Sequence, residues 1–255
     1  WKDIITWEIG VVNMVETVLL SPHSGDIAYS LGGSILTGFY CPPIRITTIF
    51  TRSSLAPRRT DLTDVDTISK IRALEDYEYC REIKVRIQRL HFAESSLRDI
   101  SNSPGRDPIY NIVREHLDAK LHSLKDSLIL CPLGLGGDID HLIIRNICDD
   151  LGFSHLCYYE DLPYANRLSM EFIYAYARQL RLKPCSIQVD PVMDSKTRNL
   201  LIYASQVGIS EILEVINHAK RLGIESKSGG YQERIWYKED SSFQVFSETS
   251  STTTL

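Results

Sequence analysis

The stretch that most constrains this chain is Val18-Leu19-Leu20-Ser21-Pro22-His23-Ser24-Gly25-Asp26-Ile27-Ala28, an apolar run that stops at a turn carrying a histidine and an aspartate three residues apart. Its apolar half suits a buried parallel strand, Pro22 ends the ladder, and Ser24-Gly25 suits a tight turn into a helix at Ala28. A strand of that kind needs helices on both faces of its sheet. Open α/β sheets hold their ligands in crevices at such strand ends. A neutral imidazole nitrogen and a hard carboxylate oxygen together suit Zn²⁺. The same pair also serves as a helix N-cap and a loop residue, and the motif alone does not separate the two roles.

The rest of the chain repeats the alternation. Strands are expected at 16–21, 45–51, 84–92, 127–133 and 155–159. Helices are expected at 28–39, 67–83, 109–124, from Asp140 onward, and at 170–180, 195–205 and 210–222. Gly32-Gly33 in the first helix allows close approach to the sheet, at a cost of roughly 1 kcal/mol of helix propensity per glycine. Residues 186–189 form an apolar run, 232–237 read as a final strand or a helix end, and 6–15 are ambiguous. The pattern predicts an α/β chain, a Rossmann-like three-layer fold with a mostly parallel sheet. Residues 1–240 read as one domain and 241–255 as a Ser/Thr-rich tail with little part in the core.

With 28 Lys and Arg against 33 Asp and Glu, the formal charge is −5. There is no basic footprint for nucleic acid, and no apolar run approaches the roughly 18–20 residues of a membrane span. Acidic residues at Asp3, Glu8 and Glu16 do not fit a secretory signal, so a cytoplasmic location is expected. Cys41, Cys80, Cys131, Cys148, Cys157 and Cys185 are widely spaced, with no Cys-x-x-Cys pair. Free, mostly buried thiols are expected rather than a disulfide framework or a thiol catalyst.

A second stretch has the build of the first: Pro132-Leu133-Gly134-Leu135-Gly136-Gly137-Asp138-Ile139-Asp140-His141 follows a buried strand with a glycine turn, polar residues and a helix. It lacks the glycine pattern of a dinucleotide fingerprint, and its carboxylates would repel phosphate. Two strand-end loops, each with a histidine and carboxylates, could converge on one cation. Together with Tyr159-Glu160-Asp161-Leu162-Pro163-Tyr164-Ala165, the run from Lys196 to Gln206, and Glu233-Arg234-Ile235-Trp236, these stretches resemble the zinc-dependent de-N-acetylases of the N-acetylglucosaminyl-phosphatidylinositol de-N-acetylase (PIG-L) and LmbE-like family. In that family one strand ends in His-Pro-Asp-Asp, and a later loop reads roughly Pro-Leu-Gly-x-Gly-x-His-x-Asp-His.

The resemblance implies an LmbE-like fold, Zn²⁺ as cofactor, and His23, Asp26 and His141 as its ligands, a set that leaves a position open for water. It implies a metal-dependent hydrolase of C–N amide bonds that removes an N-acetyl group from a sugar-like or small-molecule substrate containing an amino sugar. Two positions depart from the pattern. The family's usual general base is Gly25 here, and the histidine that resembles its oxyanion stabiliser and proton donor is Asp138. Glycine cannot take a proton, and an ionised Asp138 would repel an oxyanion. Asp138 as a relocated proton shuttle keeps the hydrolase reading. A diverged lyase or hydratase and an inactive ligand-binding homologue are the alternatives.

Asp140 is expected to cap the helix or to orient His141. Asp161 and Glu160 are expected to orient a ligand or to wall the site, and Arg234 to line the site or to pair with a helix carboxylate. Glu94 falls near the pocket by resemblance. Arg52, Arg58 and Arg59 lie in a polar loop that could meet a substrate anion but reads better as a solvated face. His91, His116, His122, His155 and His218 read as surface or satisfied core histidines.

Overall fold

The computed structural model describes residues 16–100, 103–121, 124 and 126–238; the ambiguous segment 6–15 and the tail from 241 onward lie outside the described residues. Seven strands form one sheet: β1 (Thr17–Ser21), β2 (Ile44–Arg52), β3 (Arg86–Ala93), β4 (Leu128–Pro132), β5 (Leu156–Tyr159), β6 (Leu182–Gln188) and β7 (Gln232–Lys238). Their order is β3-β2-β1-β4-β5-β7-β6. The first five pair in parallel, and β7 runs antiparallel between β5 and β6. Every residue of β1 and β4 is buried, as a central parallel strand covered on both faces requires. The helices are α1 (Asp26–Leu36), α2 (Val65–Glu82), α3 (Ile109–Leu121), α4 (Ile139–Leu151), α5 (Met170–Gln179), α6 (Met193–Leu200) and α7 (Ile209–Glu225).

The strand order explains why the two motif loops meet. The chain leaves β1 through α1 for β2 on one side, and leaves β4 through α4 for β5 on the other. Because β1 and β4 are neighbours, their crossovers diverge and open a crevice at their carboxyl ends. Both motif loops begin at that crevice.

Three local expectations are corrected or sharpened. The helix expected at 195–205 stops at Leu200, because buried acceptors on α2 draw the following segment away. The Tyr203 hydroxyl donates to Asp76, and the amide and hydroxyl of Ser205 donate to Glu75. The apolar run at 186–189 is the end of a longer strand, β6, which tolerates Pro184 because it lies at the sheet edge. Residues 232–237 are strand, not helix end.

The close approach expected at Gly32-Gly33 falls at β7. A side chain on Gly33 would place its first carbon 2.7 Å from Oε1 of Glu233 and 2.8 Å from Val189. Glu233 uses that room: its two oxygens accept the amides of Gly33 and Ser34, each at 2.7 Å, and it pairs with the buried ammonium of Lys196 at 2.6 Å. All six cysteines are free, five of them buried and Cys41 half-buried. No helix among the described residues is long and apolar enough to cross a membrane.

Candidate metal centre

The turn after β1 is shaped by its own side chains. Ser21 Oγ donates to the carbonyl of His23 at 2.6 Å, and the His23 amide donates to Oδ2 of Asp26 at 2.7 Å. Gly25 caps α1 with φ of 99°, in the region that glycine alone adopts readily. On the facing loop, Asp138 is the N-cap of α4 and accepts the Asp140 amide on Oδ1 at 2.9 Å, which sets His141 in the first turn of that helix.

His23, Asp26 and His141 come together, with one ligand atom of each within 4.8 Å of the others. Oδ2 of Asp26 lies 3.7 Å from Nδ1 of His23 and 3.4 Å from Nε2 of His141. Bond lengths of about 2.0–2.1 Å in a tetrahedral zinc site separate its ligands by roughly 3.3–3.4 Å, so these spacings are close to what a zinc ion needs. The decisive atom is Nε2 of His141, which is buried and makes no hydrogen bond. A buried polar atom without a partner is costly, and a cation would complete it.

Each histidine is oriented from behind by a carboxylate. Nδ1 of His141 is 2.6 Å from Oδ1 of Asp161, whose other oxygen accepts the Leu135 amide at 2.9 Å. Nε2 of His23 is 3.0 Å from Oδ2 of Asp140. These bonds leave Nε2 of His141 and Nδ1 of His23 for a ligand, and carboxylate–histidine pairs of this kind fix tautomer and ring orientation. Burial opposes charge on His141, but the Asp26 carboxylate, followed by Asp161 and Asp138, pushes its pKa up to about 10. That excess of negative charge holds a proton and equally favours a divalent cation, which must displace the proton to bind.

Asp140 does not cap α4 and does not orient His141; the cap is Asp138, and Asp140 serves His23. It is fully buried and saturated by the Ser95 amide at 2.8 Å and by the Arg98 guanidinium. Burial works against its ionisation, yet the His23 hydrogen bond and charge, together with Arg98, hold its pKa at about 2. Arg98 lies over the Phe50 ring, 4.9 Å from its centroid. No motif marks Arg98, and only the fold brings it to Asp140.

Oδ2 of Asp138 accepts the Tyr164 hydroxyl at 3.3 Å, and Asp138 also falls within 4.8 Å of His23 and Asp140 as a possible ligand group. The Tyr164 ring stands edge-on to His141 and fits against Gly136, where any side chain would collide with it. Burial first, then the Asp138 and Asp26 charges, raise the pKa of this hydroxyl, so it remains a donor.

Arg234 is placed elsewhere. It pairs with Glu160 at 2.5 Å and Glu225 at 2.9 Å, donates to Tyr174 at 3.1 Å, and lies 4.9 and 4.8 Å from the ring centroids of Tyr174 and Trp236. Glu160 is held there too, by Arg234, by His218 at 2.7 Å and by Trp236 at 2.8 Å. Both belong to a buried network joining β5, β7 and α7, and His218 is the satisfied core histidine expected of it. Glu94 is buried against Arg72 at 3.1 Å and Ser53 at 2.5 Å, and Arg59 is paired with Asp61 at the surface.

Two imidazoles and one carboxylate at the switch point of a mostly parallel sheet make this an α/β protein with a candidate three-ligand metal site. Comparison with models of known protein families gives no match. The 2'-N-acetylparomamine deacetylase of Streptomyces fradiae is 30% identical over 227 residues, which cover 84% of this chain and 81% of that protein. Among solved structures, a deacetylase–teicoplanin complex superimposes with a TM-score of 0.70 at 19% identity, covering 87% of this chain and 97% of the other. The zinc-inhibited form of a teicoplanin deacetylase gives 0.67 at 18% identity, covering 87% and 97%. The chain belongs to the LmbE-like (PIG-L) de-N-acetylase family.

Proposed function

We propose that this protein is a zinc-dependent de-N-acetylase that hydrolyses the acetamido group of a small amino-sugar substrate. The observation that carries the reading is the unpartnered, buried Nε2 of His141 beside Asp26 and His23, a donor set with its outer hydrogen bonds already made. The 2'-N-acetylparomamine deacetylase supports the substrate class, since its named substrate is an N-acetylated amino sugar.

When bound, zinc supplies Lewis acidity toward the acyl oxygen and toward water. His23, Asp26 and His141 would hold it, with Asp140 and Asp161 fixing the two rings. Gly25 has no group to move a proton, so that task falls to Asp138. Its Oδ1 is occupied by the cap, and Oδ2 takes the proton from the attacking water and delivers it to the leaving amine nitrogen. The Tyr164 hydroxyl, donating to that same oxygen, keeps the carboxylate in place between the two transfers.

The test is Asp138→Asn. Asparagine still accepts the Asp140 amide, so α4 stays capped while the proton carrier is lost. Turnover of N-acetylated amino sugars, followed by release of acetate and free amine, is expected to fall by roughly 100-fold or more, in the range of lost general acid–base catalysis, with zinc content unchanged. Equal turnover by the variant would remove Asp138 from the mechanism. Absence of zinc uptake by the wild-type protein would defeat the metal reading.

A further inference from the structure

Ser24 lies between two of the three candidate ligands, and its hydroxyl is engaged far from them in sequence. Oγ donates to Oδ2 of Asp76 on α2 at 2.9 Å and accepts from Nη1 of Arg89 on β3 at 3.0 Å. Ser24 is 4% exposed and Asp76 is 2% exposed. The same carboxylate accepts Thr48 Oγ1 from β2 at 3.3 Å, the Tyr203 hydroxyl at 3.2 Å, and Arg89 Nη1. Asp76 is thus a fully satisfied hub, held by β2, β3 and the segment after α6. Its bond to Ser24 reaches into the ligand-bearing turn.

That turn has little intrinsic stiffness at its centre. Two of its other side-chain bonds, Ser21 to the His23 carbonyl and the His23 amide to Asp26, are local to the turn and move with it, and the bond from His23 to Asp140 holds the imidazole ring rather than the backbone at Ser24 and Gly25. Gly25 follows directly, in a backbone region open to glycine and costly for other residues. A hydrogen bond from Ser24 to a buried, saturated carboxylate removes the remaining freedom between His23 and Asp26. A metal site gains affinity when its ligands are held before the ion arrives.

We propose that Ser24 and Asp76 are positioning residues for the cation site: the buried Ser24–Asp76 bond anchors the turn so that His23 and Asp26 face the ion together with His141. The inference rests on the metal reading above and extends it to residues that touch neither ion nor substrate. Asp76 acts only through Ser24.

The probe is zinc alone, titrated into the metal-free protein in competition with a fluorescent chelator at fixed pH. Two variants are compared with the wild type. Ser24→Ala removes the anchor but leaves Asp76 satisfied by Arg89, Tyr203 and Thr48. Thr48→Val removes a hydrogen bond to the same carboxylate from the β2 side and leaves the Ser24–Asp76 bond in place. The expected result is that Ser24→Ala weakens zinc binding by about 10–100-fold, the range found for outer-shell partners, while Thr48→Val stays within about twofold of wild type. Melting of the metal-free proteins should fall in both variants and somewhat more in Ser24→Ala, which loses its bonds to Asp76 and from Arg89, than in Thr48→Val, which loses one. Wild-type affinity in Ser24→Ala, or equal weakening by Thr48→Val, would overturn the proposal while leaving the metal reading intact. A wild-type protein that takes up no zinc would overturn both.

Discussion

At the scale of single residues, Gly25 separates what this site can hold from what it can catalyse. The His-Pro-Asp-Asp motif that this turn resembles has a carboxylate at the corresponding place; here the backbone has φ of 99° and ψ of −23°. Space is not the obstacle, because the atoms nearest to a first side-chain carbon would be those of the Tyr203 and Tyr29 rings, at 3.5–3.7 Å. The obstacle is conformation. Gly25→Asp and Gly25→Ala are both expected to cost about 1–3 kcal/mol of stability, measured by denaturant unfolding of the metal-free protein. Unchanged stability in both would mean that the turn relaxes to a different backbone. The three candidate ligands came from the resemblance of two loops to a family motif, since a His and an Asp beside turn residues serve equally well as a cap and a loop residue. Arg98 had no such motif, and a lone arginine in a polar stretch looks alike whether it is solvated or, as here, bound to the carboxylate behind His23.

At the scale of elements, α4 shows one residue in two roles. Asp138 caps the helix with Oδ1 and presents Oδ2 toward Tyr164. Asp138→Ala should therefore lose both stability, by about 0.5–2 kcal/mol as for other lost caps, and turnover. Asp138→Asn should lose turnover alone. Thermal unfolding of the two variants, set beside their activity, separates cap from carrier, and equal melting temperatures would show that the cap contributes little. Sequence reading located the start of α4 and the glycine turn before it, and it divided the roles of Asp138 and Asp140 differently from the structure. Two aspartates two residues apart at a helix start are interchangeable by pattern, and only the position of Arg98, Ser95 and His23 assigns the second one to orientation. The end of α6 was equally hidden, since the acceptors that stop it lie on α2.

At the scale of the whole molecule, the network around Glu160 ties β5, β7 and α7 into one unit, and it is sensitive to acid. Burial opposes the Glu160 charge, but Arg234 first and then His218 hold its pKa at about 2 against the usual 4.5. The folded state therefore binds this proton less readily than the unfolded state. The stabilisation is present above about pH 4.5 and is lost as the pH falls toward 2. Urea midpoints measured across that window should decline with acid in the wild type. In Glu160→Gln the midpoint should be lower near neutral pH, because Arg234 loses its buried partner, and the decline across the window should be shallower. An unchanged slope would show that other carboxylates dominate acid unfolding.

The sequence by itself determined the layers of this protein and the positions of its strand-end turns, because periodicity and turn chemistry are local properties, and the resemblance of its two loops to a family motif singled out the three candidate ligands. The tertiary structure alone decided that β1 and β4 are neighbours with diverging crossovers, so that His23 and Asp26 meet His141 across more than a hundred residues of chain. It also decided which buried carboxylate stands behind each histidine, through contacts between residues far apart in sequence. Long-range pairing of polar groups follows from the packing of whole elements, and no local pattern encodes it.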